Sequence, residues 1–416
     1  MNILLITDDF YPNQGGIAHT LRCMCKSFKE TKHKLFIINP FYKGKDIYNI
    51  LKFKNYSLSE AFKFILNKTS IYYLIYSILA IIRDKKIKLS ERVNLVLYLF
   101  TKPKLLLNSI YNVRKISPYF NKSNIDLILT ANSGWILPSA FILSRIYSKP
   151  LVSMTHGVDF LVLSYFSLKH FYFKNVDMFI LSNTWIERLF NKIHKINKTR
   201  IINRGIIVKE LEVNESKEGL RAEFNLSGDT FVLFSVGRQI KRKNFDLAIR
   251  AVKEIKIKVP NIKIKYFLIG EGPMTKNLKE LTRQLNLAED VIFLGFQDIH
   301  IRNKFYKLAD VFLMPAITEK NSIEGFGIVF IEANFYKIPS IGSYSGGMRQ
   351  AIINGETGFL IKPNSLEDLT EKILILYRNV DLRKKMGEIG HNRVLKSYCW
   401  REIINEYIKV FEEVIN

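Results

Sequence analysis

The sequence predicts an α/β chain made of two doubly wound, Rossmann-like domains. Three observations lead there. At 416 residues the chain exceeds what one hydrophobic core usually serves, with ~100–200 residues per domain as the common range. Short apolar runs alternate with amphipathic stretches, as βαβ units around a parallel sheet require. That alternation stops at the polar residues 210–229 and then restarts. The boundary falls near 204–211, giving an N-terminal domain over 1–205 and a C-terminal domain over 206–396.

In the first half the apolar runs predict strands over Asn2–Thr7, Lys34–Asn39, Asp126–Thr130, Leu151–Thr155, Met178–Leu181 and Arg200–Ile202. Amphipathic stretches between them predict helices over Gly16–Phe28, Trp135–Ile146 and Thr184–Ile193. The interval from Ser57 to Lys115 is helical in pattern, and more apolar and basic than a crossover requires. In the second half strands are expected at Phe231–Val236, Ile262–Ile269, Val291–Leu294, Val311–Met314, Pro339–Gly342 and Gly358–Ile361.

Composition excludes some classes outright. With 48% hydrophobic residues the chain has ample apolar surface for full cores, so wholesale disorder is ruled out. Three cysteines (Cys23, Cys25, Cys399) with no CxxC spacing supply neither a disulfide framework nor a zinc site, which favours a reducing, cytoplasmic setting. The opening residues lack a basic signal-peptide region, and the longest apolar run, Ile71–Ile82, has 12 residues where a spanning helix needs ~20. The formal charge of +25 is one-sided: residues 1–205 carry a net +20 and residues 206–416 a net +5. Within 61–125 stand 12 basic and two acidic residues.

Ligands of doubly wound sheets sit outside the carboxyl ends of the strands, so the residues after each strand matter most. After the first strand come Gly15 and Gly16 at a helix start, where open backbone and unpaired N–H groups suit an anion. His156-Gly157 ends the Leu151–Thr155 strand, a place for a sugar ligand or a polarising group. Gly237-Arg238 ends Phe231–Val236 with Lys243 five residues on, and a forked guanidinium with a point charge suits a diphosphate. Gly270-Glu271-Gly272-Pro273 and Gly295-Phe296 end the next two strands, the second able to face a planar base. The strongest signal is Glu324-Gly325-Phe326-Gly327-Ile328 leading to Glu332. Its glycines free the backbone at a helix start for a phosphate. Glu332 is expected two turns inside that helix, so the two carboxylates act separately: one at the reacting group, the other on ribose hydroxyls.

Taken together these segments resemble the retaining nucleotide-sugar glycosyltransferases of family 4. The resemblance spans nearly the whole chain and is most specific over 230–361, where Gly-Arg plus Lys, Gly-Glu-Gly-Pro, Leu-Gly-Phe, Glu-x7-Glu, Gly-Gly and Gly-Glu-Thr-Gly follow in family order. It implies the GT-B fold, two Rossmann-like domains with a cleft between them, and a C-terminal helix over 397–416 that packs back onto the first domain. It implies that Arg238 and Lys243 neutralise a UDP- or GDP-linked donor, and that Glu324 contacts the transferred sugar. The backbone of Gly325, Phe326, Gly327 and Ile328 would lie near phosphate, and Glu332 would bind the ribose. His156 would face the donor sugar and Gly16 the phosphate or acceptor, with Gly237, Gly272 and Phe296 lining the donor site. No Asp-x-Asp occurs, so no metal or other cofactor is implied. The chain departs from the family at Met348-Arg349-Gln350, where many relatives carry Pro-Glu, and at Asn203-Arg204-Gly205, where Asn-Gly is usual.

A dehydrogenase is disfavoured by the missing GxGxxG, and a phosphorylase by the lack of a signal for a pyridoxal-phosphate lysine. A nucleotide-sugar epimerase is the nearer enzymatic alternative, and a basic membrane- or RNA-binding protein the non-enzymatic one. No nucleic-acid module accompanies the charge, so no nucleic-acid partner is expected. Residues 62–112, with Tyr72, Tyr73, Tyr76, Lys85, Lys86 and Lys88, suit an anionic membrane surface. The expected setting is therefore peripheral, at the inner face of the cell membrane, with a saccharide or lipid-linked saccharide acceptor of bacterial surface polysaccharide (O-antigen, capsule or lipopolysaccharide) synthesis.

Overall fold

A computed structural model describes residues 1–7, 10, 16–39, 50–52, 124–134, 136–156, 160, 169–196, 198–319 and 324–416. The interval 62–112 lies outside these described residues. The chain divides into two compact units, Met1–Asn203 with Ile404–Asn416, and Arg204–Ile403.

The first unit is a parallel seven-stranded sheet in the order β3-β2-β1-β4-β5-β6-β7. Its strands are β1 Asn2–Ile6, β2 Lys34–Asn39, β3 Ile50–Lys52, β4 Leu127–Thr130, β5 Leu151–Thr155, β6 Met178–Leu181 and β7 Thr199–Ile201. Its described helices are α1 Gly16–Phe28, α2 Leu137–Tyr147, α3 Lys169–Lys174 and α4 Thr184–His194. Parallel strands covered by helices on both faces are mostly apolar, and Ile3, Leu4, Leu5, Leu127, Ile128 and Leu129 are all fully buried. Helix α4 starts where Asn183, in extended backbone, accepts a hydrogen bond from Ile186 N at 2.8 Å. Such a cap contributes ~1 kcal/mol. Strand β3 escaped the sequence reading because three residues are too short to show an alternation.

The second unit is a parallel six-stranded sheet in the order β10-β9-β8-β11-β12-β13. In chain order it holds α5 Lys217–Glu223, β8 Phe231–Val236, α6 Phe245–Lys258, β9 Ile264–Ile269, α7 Thr275–Gln284, β10 Val291–Gly295, α8 Ile299–Leu308, β11 Val311–Met314, α9 Ile328–Phe335, β12 Ser340–Ser343, α10 Met348–Ala351, β13 Gly358–Ile361, α11 Leu366–Arg378 and α12 Val380–Ser397. Helix α5 forms inside the polar stretch 210–229 because Ser216 caps it, accepting from Gly219 N at 3.0 Å, while Leu220 anchors it in the core. Central β8 is buried along its whole length and pairs with β9 on one side and β11 on the other. This is the point where the strand order reverses, and ligands of such sheets bind there.

The last helix, α13 Trp400–Ile415, begins in the second unit and belongs to the first from Ile404 onward. Trp400 donates its ring N–H to the Gly205 carbonyl at 3.0 Å. In the first unit Phe411 stacks on Phe28 with ring centroids 6.4 Å apart. Among the described residues no helix is long and apolar enough to cross a membrane.

Candidate active site

The loops at the carboxyl ends of β8 to β12 build the site in the second unit. Strand β8 ends in Gly237, whose φ of +153° takes the chain out of the sheet, and continues to a 3₁₀ turn at Lys241–Lys243. Asn244 follows in the left-handed region at φ +57° and starts α6. Two bonds pin this turn to the loop after β11: Ile317 N donates to Arg242 O at 2.8 Å, and Asn244 Nδ2 to Pro315 O at 3.2 Å. They fix where the side chains of the basic turn point.

Those side chains point at Glu324. Its Oε2 accepts from Lys243 Nζ at 2.7 Å and from the Arg242 guanidinium. All three side chains are largely buried, at 12–14% exposure. Burial alone would raise the Glu324 carboxyl, but the charges of Lys243 and Arg242 and their hydrogen bonds outweigh it and pull it down to about 2. The carboxylate is therefore ionised at neutral pH and able only to accept hydrogen bonds.

Arg242 is the residue that the sequence reading passed over. Arg238 and Lys243 were expected to act as the pair. Arg238 is exposed, and among the described residues its guanidinium has no hydrogen-bond or ion-pair partner, so it stays open to the diphosphate that it and Lys243 are expected to neutralise. The signal for Arg242 lay in the run Lys241-Arg242-Lys243, but a 3₁₀ turn has three residues per turn and its cations point apart. Only the tertiary pinning shows that two of them converge.

Beyond Glu324, Gly325 is half-buried, Phe326 is buried with its ring against Tyr398, and Gly327 caps α9 in the left-handed region at φ +83°. Helix α9 begins at Ile328, so its first N–H groups stand beside the Glu324 loop. Gly347 N donates to Glu324 O at 3.0 Å, which brings the loop after β12 to the same place. Exposed Tyr344 lies there with the Arg349 guanidinium 4.5 Å above its ring.

Glu332 differs from expectation in two respects. It lies just over one turn into α9, not two, because the helix begins only at Ile328. Its carboxylate is buried, paired with Arg302 at 3.1 Å and accepting from Tyr306 Oη at 2.9 Å. Both oxygens thus have partners inside the protein. Burial, and then the charge of Glu332, push the Tyr306 phenol well above its ordinary range, which keeps it a donor.

Gly272 serves packing: a Cβ there would lie 2.4 Å from the Gln239 carbonyl oxygen. Gln239 N donates to Glu271 O at 3.0 Å, so the loops after β8 and β9 meet backbone to backbone. Phe296, after β10, is 62% exposed and open to a planar group.

In the first unit Gly16 is exposed at the start of α1, and His156 is buried at the carboxyl end of β5. Beside it in sequence runs a buried hydroxyl cluster that the sequence reading did not single out. Ser153 Oγ accepts from Thr130 Oγ1 at 2.9 Å, and Ser133 Oγ lies 2.9 Å from Ser153 Oγ and 2.5 Å from Thr155 Oγ1. Scattered serines and threonines carry no pattern until β4 and β5 are paired.

Residues 216–393 match the family model described as glycosyl transferases group 1. An uncharacterized glycosyltransferase of Methanocaldococcus jannaschii is 28% identical over 313 residues, covering 73% of this chain and 80% of that protein. The capsular polysaccharide biosynthesis glycosyltransferase CapM of Staphylococcus aureus is 27% identical over 331 residues, covering 76% of this chain and 83% of that protein. Among solved structures, Anabaena HepE in complex with UDP superposes with a TM-score of 0.75 over 99% of this chain and 100% of that chain, at 16% identity, a likeness of fold. With the fold class GT-B and a group 1 glycosyl transferase domain matched over 216–393, the chain is an enzyme of the glycosyltransferase class.

Proposed function

We propose that the chain is a retaining family 4 transferase that moves a sugar from a nucleotide diphosphate donor to a saccharide or lipid-linked saccharide acceptor in surface polysaccharide synthesis. The observation that carries this reading is the convergence of Lys243 and Arg242 on Glu324 at the switch point of the second sheet. Two cations against one carboxylate leave an uncompensated positive charge in a largely buried site, which a diphosphate would neutralise. The free N–H groups at the start of α9 add to it. Glu324, ionised, accepts hydroxyl hydrogens of the transferred sugar. The leaving diphosphate is stabilised by side chains and helix dipole, so the reading needs no metal.

Support for the setting comes from CapM, whose name places it in capsular polysaccharide biosynthesis, and for the donor from HepE, whose structure holds UDP. Peripheral attachment at the inner membrane face rests on the basic, aromatic sequence of 62–112. Glu332 is better read as a buried brace between α8 and α9 than as a direct ribose ligand. Incubation with a panel of UDP- and GDP-linked sugars, with and without lipid-linked saccharide acceptors, tests the proposal by diphosphate release and by the product's anomeric configuration. No release from any donor overturns it, and an inverted anomer overturns its retaining part.

A further inference from the structure

Two cations share one oxygen of Glu324, and they differ in how freely they can leave it. Arg242 is held at both ends: its carbonyl accepts from Ile317 N at 2.8 Å, and its guanidinium bonds to the carboxylate. Its planar fork is pre-organised for that one partner. The other contact of Lys243 Nζ is the Met314 sulfur at 3.1 Å, a weak acceptor. Its ammonium is a point charge on a flexible stem. It also lies against Gly237, where even a built Cβ would stay 3.7 Å from Lys243 Cε, so there is room to re-aim.

We propose that Arg242 is the standing counter-ion of Glu324, a positioning residue that keeps this carboxylate ionised and aimed while Lys243 passes from Glu324 to the donor's diphosphate. The inference rests on the donor reading above and extends it. Lys243 and Arg242 are the charged side chains acting on Glu324 among the described residues. Once the donor takes Lys243, a carboxylate so far buried needs the remaining cation. Without it, burial favours the protonated acid, which turns an acceptor of sugar hydroxyls into a donor.

The test follows the Glu324 carboxyl by carbon-13 NMR of glutamate-labelled full-length protein, with the resonance assigned by its loss in Glu324→Gln. Wild type, Arg242→Gln, Arg242→Lys and Lys243→Gln are titrated alone and with saturating UDP or GDP. With diphosphate bound, Glu324 of wild type and Arg242→Lys stays ionised to below about pH 4, and Arg242→Gln takes up its proton at least about one unit higher. In transfer assays Arg242→Gln lowers kcat by about tenfold or more, while donor KM stays within about threefold. Two results overturn the proposal: an Arg242→Gln protein that titrates like wild type with diphosphate bound, or one that loses diphosphate affinity about tenfold, the loss expected of Lys243→Gln. If neither diphosphate binds wild type, the donor reading fails by itself, and ligand-free Lys243→Gln decides the remainder. Glu324 still ionised below about pH 4 supports Arg242 as its holder, and proton uptake about one unit higher overturns it.

Discussion

Lys243 Nζ and Glu324 Oε2 stand 2.7 Å apart although 81 residues separate them in the chain. The approach is produced by backbone: Ile317 N to Arg242 O and Asn244 Nδ2 to Pro315 O tie the loop after β8 to the loop after β11. The pair sits where the strand order reverses, and so joins the two loops that a bound donor would touch together.

Replacing Glu324 by alanine should cost transfer about 100-fold or more in kcat, since an acceptor aimed at the reacting sugar is lost. The fold should survive at a cost of about 3 kcal/mol, since two largely buried cations lose their carboxylate. Steady-state transfer rates alongside far-UV circular dichroism check this, and full activity in a folded variant would remove Glu324 from the site.

Acid should selectively remove the stability that this carboxylate contributes. Its pKa falls from an ordinary 4.5 to about 2 on folding, so the gain is complete above the ordinary value and drains away as pH drops toward the folded one. Wild type should exceed Glu324→Gln by roughly 3 kcal/mol at neutral pH, a margin that shrinks between about pH 5 and pH 2. Urea unfolding of both proteins across that range measures it; a margin independent of pH contradicts the ion-pair geometry.

Arg302→Met should destabilise the protein by about 3–5 kcal/mol, because it strands the buried carboxylate of Glu332. Arg302→Met with Glu332→Leu should recover most of that loss, since the uncompensated charge is gone. Equal losses in the single and double variants would contradict a paired brace.

Gly270 should not tolerate alanine. Its φ is +115°, and a Cβ would lie 2.2 Å from the Gly237 carbonyl oxygen, so the loops after β8 and β9 must part. A cost of about 1–3 kcal/mol is expected, whereas Gly228→Ala, with open space around it, should stay within about 0.5 kcal/mol. Thermal unfolding of both variants compares them.

Chelation should leave transfer within about twofold of the untreated rate, because Lys243, Arg242 and the start of α9 are proposed to supply the positive charge. A large loss with EDTA that is restored by a divalent ion would show that they do not suffice.

Much of the scaffold was legible in the chain. Apolar runs such as Phe231–Val236 marked the strands because strands buried on both faces are mostly apolar, and Glu324 to Gly327 marked a loop-to-helix turn because glycine there leaves the backbone open. The partner of Glu332 was not legible. A glutamate near a helix start reads the same whether it faces solvent, a ribose or an arginine on another helix, and Arg302 lies 30 residues away.

By itself, then, the sequence determined two parallel α/β units, their restart after residues 210–229, and which loops lie at the strand ends, since periodicity and glycine placement are local properties. Tertiary structure alone decided the partners: that Arg242 joins Lys243 on Glu324, and that Glu332 turns inward to Arg302 and Tyr306. The physical reason is that a charge's partner depends on distance through space, and those distances are set only when β8 and β11 pair and their loops are pinned.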